Sequence, residues 1–201
     1  FLGVVFGQRA AFRAKKLIVT AHQRELSYVH GTWHKTSNFT SLGAVLGAVA
    51  YVLNASTFES DIGVLAFGVF ASACITHALV DIDTHLIVRQ VTTRAYLLGM
   101  PLLVVAALVD ETPRQLLTAL VGVLLATAVL LVWRALSRGQ LGSGDVAVAP
   151  MLGLFLGWVG IDVVVSGLLI AALTSGVFAL IGLATRRLRR ESQLAFGPFL
   201  M

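Results

Sequence analysis

The chain has 201 residues, of which 57% are hydrophobic and only 12% charged, and its mean hydropathy is +0.88. A soluble domain carries about 25% charged and about 45–50% apolar residues, and no water-soluble fold of this size has the interior to hide so much apolar surface. The net charge of +5 would suggest nucleic acid in a soluble protein, but here the bases lie at the ends of apolar runs, where a lipid bilayer accounts for them and no nucleic-acid partner is implied.

The chain opens with Phe1–Gly7, an apolar stub too short to cross a bilayer, followed by a basic flank. This reads as the end of a clipped span, not as a signal peptide. From Gln8 to Asn38 the sequence is polar and basic, broken by Leu17, Ile18 and Val19. That pattern fits an interfacial helix or a small cytosolic segment. Residues 1–38 are therefore set apart from a transmembrane domain over residues 39–201.

A span needs about 20 mainly apolar residues. Six runs qualify: residues 39–55, 61–80, 95–109, 115–136, 146–161 and 163–185. All are apolar throughout, where barrel strands would alternate. The expected fold class is an all-α polytopic transmembrane helix bundle with about six spans. The loops support the count. With six crossings every Lys and Arg except Arg114 falls on one side, while Glu59, Asp61, Asp110, Glu111 and Asp162 fall on the other. The positive-inside rule makes the basic side cytoplasmic. Cys74, the one cysteine, excludes an internal disulfide and a multi-cysteine zinc site, and reads as a small buried hydrophobe.

Three acids stand near span ends on the cytoplasmic side: Asp81, Asp83 and Asp145. A carboxylate at the membrane boundary is costly unless hydrated, paired or functional. Asp145 follows Gly142-Ser143-Gly144, and the two glycines permit close backbone approach. Two carboxylates within reach of each other cannot both ionise easily. The ionised one can take a proton from water as the water attacks a peptide carbonyl, while the protonated one polarises that carbonyl. Asp81 and Asp145 are the candidate pair, with Gly142 and Gly144 as the supporting loop and Asp83 as a secondary acid.

Four motifs then fall in order along the chain. Ala78-Leu79-Val80-Asp81-Ile82-Asp83 resembles the segment of type IV prepilin peptidases in which an apolar helix ends at Asp-(Leu/Ile)-Asp. Gly142-Ser143-Gly144-Asp145-Val146, running on to Leu152-Gly153-Leu154-Phe155-Leu156-Gly157-Trp158, is similar to that family's Gly-x-Gly-Asp-Val and Leu-Gly-x-x-Leu-Gly-Trp elements. Phe196-Gly197-Pro198-Phe199-Leu200 resembles its signature before the last span, and Phe1-Leu2-Gly3-Val4-Val5 the end of its first. The resemblance implies an aspartic endopeptidase with Asp81 and Asp145 catalytic and no cofactor. Its partners would be pilin-like precursors, whose short basic leader is cut at the cytoplasmic face of a bacterial inner membrane, usually after a Gly. The chain departs from the family at Val88-Arg89, where Pro and an Asp or Asn are usual, at Ala147, where a base is usual, and at Ala195, where Pro is usual. These departures bear on activity level and substrate choice. The paired-cysteine cytosolic part of many members has no counterpart in Gln8–Asn38.

Other readings remain open at this stage. His77, Asp81 and His85 are spaced four apart and would share a helical face, a stripe able to bind metal. The plainer reading leaves His77 hydrogen-bonded in the bundle and His85 in a wet loop, with no metal. A transporter or scaffold would fit the many small residues, but no charged residue falls in the middle of a predicted span, where transport would need one. Gly43 and Gly47 read as helix packing. The presenilin group shares Gly-x-Gly-Asp but expects Tyr-Asp and Pro-Ala-Leu, which this chain lacks.

Overall fold

The computed structural model describes residues 2–23, 35–58, 61–84, 88–137 and 141–184. Among them the chain forms seven helices and no strand: α1 Leu2–Gln23, α2 Ser37–Thr57, α3 Asp61–Thr84, α4 Arg89–Val109, α5 Pro113–Leu136, α6 Ser143–Val159 and α7 Ile161–Ala184. Of these, α2, α3, α4 and α5 contain stretches long and apolar enough to cross a membrane, while α6 and α7 supply shorter apolar segments. Large apolar side chains such as Val52, Leu108, Leu124, Leu173 and Leu180 point outward. That outward apolar face is what a bilayer solvates. The protein is a polytopic helical bundle.

The opening stub and the basic segment as far as Gln23 form one helix. Along α1 the buried positions are Gly3, Gly7, Ala10, Ala11, Ala14 and Ile18, a stripe at helical spacing. The bases Arg9, Arg13, Lys15 and Lys16 lie on its exposed side. This stripe packs on α2 and α3. Gly3 and Gly7 lie so close to Gly43 and Gly47 that a Cβ at any of the four would strike the partner backbone. The Gly-x-x-x-Gly of α2 is thus a packing surface, as expected.

The turns follow their residues. α4 ends in a Schellman arrangement: Thr112 N–H donates to the Ala107 carbonyl at 3.0 Å, and Glu111 between them has φ 53°. Pro113 then starts α5 at a position where a missing N–H costs nothing. Gly160 separates α6 from α7.

Three apolar clusters organise the interior. The largest joins α3, α4, α5 and α6 around Phe67, Leu103, Met151, Phe155 and Trp158. A second joins α1, α2 and α3 around Ala14, Ile18, Phe39, Leu79 and Val80. A third joins Leu130, Leu141 and Ala149, with Leu168 of α7 against them. The most extensive helix pair is α5 with α6, then α1 with α2. Both pairs are closed by glycines in backbone contact, as expected where van der Waals packing, not hydrophobic burial, holds helices together in lipid. The C-terminal motif from Phe196 to Leu200, the basic run from Arg186 to Arg190, and His85 lie outside the described residues.

Candidate active site

Asp81 lies in the last turn of α3 and Asp145 in the first turn of α6. Alternating helix directions put both turns at the same end of the bundle. Both side chains are buried, with 3% and 6% of their surface exposed. The Asp145 carboxylate lies within electrostatic reach of the Asp81 carboxylate. The structure thus brings together two acids separated by 64 positions in the sequence.

Their surroundings differ. At Asp145 the sequence Gly142-Ser143-Gly144 makes the helix start. Gly142 is the N-cap, with φ −59° and ψ 145°. Its backbone N–H lies within interaction reach of the Asp145 carboxylate, in the place of the reach-back half of a capping box. A Cβ on Gly142 would stand 3.0 Å from Asp145 Oδ2, so glycine leaves the carboxylate its room. Gly144 is half-buried in the same turn.

Asp81 stands one turn after His77 on α3, and the helix continues past it to Thr84. The predicted span stopped at Val80. The helix runs further because Thr84 returns its hydroxyl to the Val80 carbonyl at 2.8 Å, which holds the last turn closed. Leu79 and Val80 are fully buried against α1 and α2. One carboxylate oxygen of Asp81, Oδ2, is buried without a hydrogen-bond partner.

Asp83 is on the same final turn of α3, two residues beyond Asp81, and its side chain lies outside the described residues. His77 is 1% exposed, and its Nε2 is 3.0 Å from Thr92 Oγ1 on α4. The expectation that His77 is hydrogen-bonded inside the bundle holds. Its partner Thr92 was not singled out from the sequence, since the polar start of α4 falls outside the apolar run at residues 95–109. Among the described residues no three His, Cys, Asp or Glu side chains gather in a way that would hold a metal ion.

Behind the two acids the helices are locked by the segment that follows Asp145. Gly153 and Gly157 of α6 press on Gly122, Thr118 and Ala119 of α5. Phe155 stacks on Phe70 with ring centroids 4.6 Å apart, and meets Phe67 edge-on at 5.5 Å. Gly99 of α4 makes room for the Phe155 ring, which a Cβ there would strike.

A model of the type IV leader peptidase family matches residues 68–182, more than half of the chain. The chain belongs to that family. Both acids lie within the matched stretch, and the chain is accordingly a protease of that family carried on a membrane bundle. No curated protein and no solved structure matches the chain.

Proposed function

We propose that this leader peptidase is an aspartic endopeptidase in which Asp81 and Asp145 act as one catalytic pair. The observation that carries the reading is the meeting of two buried carboxylates, from α3 and α6, at one end of a membrane bundle. Family membership supports peptide hydrolysis, and the burial of both acids within electrostatic reach of each other supports them as the pair. Metal-free hydrolysis by such a pair needs one carboxyl ionised and one protonated.

In this reading a water between the pair gives up a proton to the ionised carboxylate as it attacks the scissile carbonyl. The protonated carboxyl donates a hydrogen bond to that carbonyl oxygen, and the tetrahedral intermediate forms. Collapse breaks the C–N bond, and the amine leaves with a proton from the pair. The titration belongs to the pair, so neither acid is assigned a fixed role. Gly142 and Gly144 support Asp145, through the Gly142 N–H and the open space before Oδ2. Asp83, two residues beyond Asp81 on α3, is a secondary acid in this reading.

The substrates we infer are pilin-like precursors with a short basic leader, cut on the cytoplasmic side of a bacterial inner membrane. The placement of nearly all Lys and Arg on the side of the two acids supports that orientation. The test is cleavage of a pilin-like precursor in membranes by the wild type, Asp81→Asn and Asp145→Asn. Loss of cleavage in both variants, with normal insertion, is the expected result. Each loss should be nearly complete and the double variant no worse, because the two groups act as a unit. Cleavage by either single variant at near wild-type rate would overturn the assignment.

A further inference from the structure

His77 and Asp81 are neighbours on one face of α3, a helical turn apart. Residues four apart stand about 5–6 Å from each other at their Cβ atoms. Both are buried. Among the described residues, the buried side-chain polar atoms without a hydrogen-bond partner are His77 Nδ1 and Asp81 Oδ2. Buried polar atoms are nearly always satisfied. These two exceptions lie one turn apart and are complementary, one a potential donor and the other an acceptor.

The other side of the imidazole is fixed. Thr92 Oγ1 lies 3.0 Å from Nε2, and the pair is buried between α3 and α4. When the threonine hydroxyl donates to Nε2, the ring proton resides on Nδ1, the nitrogen without a partner. A histidine held at one nitrogen by a hydroxyl presents its other nitrogen in a defined direction, and such supporting contacts orient a working group as much as its direct partners do.

We propose that His77 is a positioning residue for Asp81: with its ring locked by Thr92, its Nδ1–H engages the Asp81 carboxyl in the working enzyme, directly or across one bridging water. Such a bridge between two buried polar atoms is ordinary in protein interiors. The contact would hold the Asp81 carboxyl in the orientation that meets Asp145, and would tie that orientation to α4. The proposal rests on the reading of Asp81 as one of the catalytic pair.

The experiment is precursor cleavage in membranes by the wild type and by Asp81→Asn, His77→Leu, His77→Asn, His77→Gln, Thr92→Val and Thr92→Ser. The Asn amide sits near the place of Nδ1, and the Gln amide near that of Nε2. His77→Leu should lower kcat about 10- to 100-fold, the size expected from one lost buried hydrogen bond, with KM little changed. His77→Asn should recover most of the rate and His77→Gln should not. Thr92→Val should lower kcat less, and Thr92→Ser should restore it. A His77→Leu enzyme of wild-type rate, or equal recovery by Asn and Gln, would overturn the proposal and leave His77 as a tie between α3 and α4. If His77→Leu fails to insert, the comparison of Asn with Gln decides alone. If Asp81→Asn still cuts, the reading of Asp81 fails and takes this proposal with it; if Asp81→Asn is dead while the His77 variants are fully active, only this proposal falls.

Discussion

Gly153→Ala tests whether the α5–α6 seam sets the position of Asp145. A Cβ at residue 153 would overlap the Gly122 carbonyl oxygen, and would stand 2.7 Å from both the Gly122 carbonyl carbon and Val123 Cα. Ordinary carbon contact needs about 3.5–4.0 Å, so the two helices must part locally by about 1 Å. Every clashing atom is backbone, and no rotamer change relieves it. Overpacking of this kind costs about 1–3 kcal/mol. Asp145 is two turns up the same helix, and a misplacement of about 1 Å in a catalytic group can cost about 100-fold in rate. The variant should therefore melt at lower temperature in detergent and cleave precursor about two orders of magnitude more slowly. Gly68→Ala is the control: it lies on α3, and an added Cβ meets nothing within 4 Å. If Gly153→Ala and Gly68→Ala behave alike in both measurements, the seam does not govern the site and the reasoning is wrong.

Gly142→Ala should separate stability from activity. The φ and ψ of Gly142 suit alanine, but an N-cap prefers glycine to alanine, so the two effects offset and unfolding should change little, while the new Cβ, 3.0 Å from Asp145 Oδ2, should displace the carboxylate and lower cleavage; unfolding and rate measured on one preparation check both. Glu111→Gly should stabilise the fold by about 1 kcal/mol by relieving a left-handed backbone, with cleavage unchanged because the α4–α5 turn is at the opposite end from the two acids. Phe155→Ala should cost about 3–5 kcal/mol in unfolding, since the ring is fully buried and touches α3 and α4 as well as its own helix.

The spans and their order were legible because an apolar run in lipid has few ways to satisfy its backbone. Their ends were less so. The third run was read from Ala95, yet α4 begins at Arg89. Hydropathy weighs side chains, whereas the helix is a backbone structure that continues through Arg89, Gln90, Thr92, Thr93 and Arg94 into the interface. The same limit hid Thr92, the partner of His77. α1 was half legible: its polar composition allowed an interfacial helix, but its buried stripe is mostly Gly and Ala, which carry little hydropathy and bury through close contact. Asp81 and Asp145 stood out in the sequence as acids at span ends beside a glycine pair. That they come within electrostatic reach of each other depends on how α3 and α6 are held, which no local pattern contains.

That holding is done by the neighbouring helices. α1 and α2, locked to each other by their glycines, brace α3 through the cluster around Leu79 and Val80. α5 braces α6 through Gly122, Gly153 and Gly157. Backbone packing between α3 and α6 themselves is sparse compared with either pair. They are joined instead by α4, which packs on both, and by the stack of Phe67 and Phe70 on Phe155. Phe67 is 14 residues from Asp81, about 21 Å along a helix, and Phe155 is 10 residues from Asp145, about 15 Å. The two acids thus lie several turns along their helices from the aromatic contact that joins α3 to α6, and Asp81 sits beside the cluster that braces its own helix. α4, which packs on both α3 and α6 and sets Thr92 against His77 one turn from Asp81, is therefore the element that couples the two acid-bearing helices.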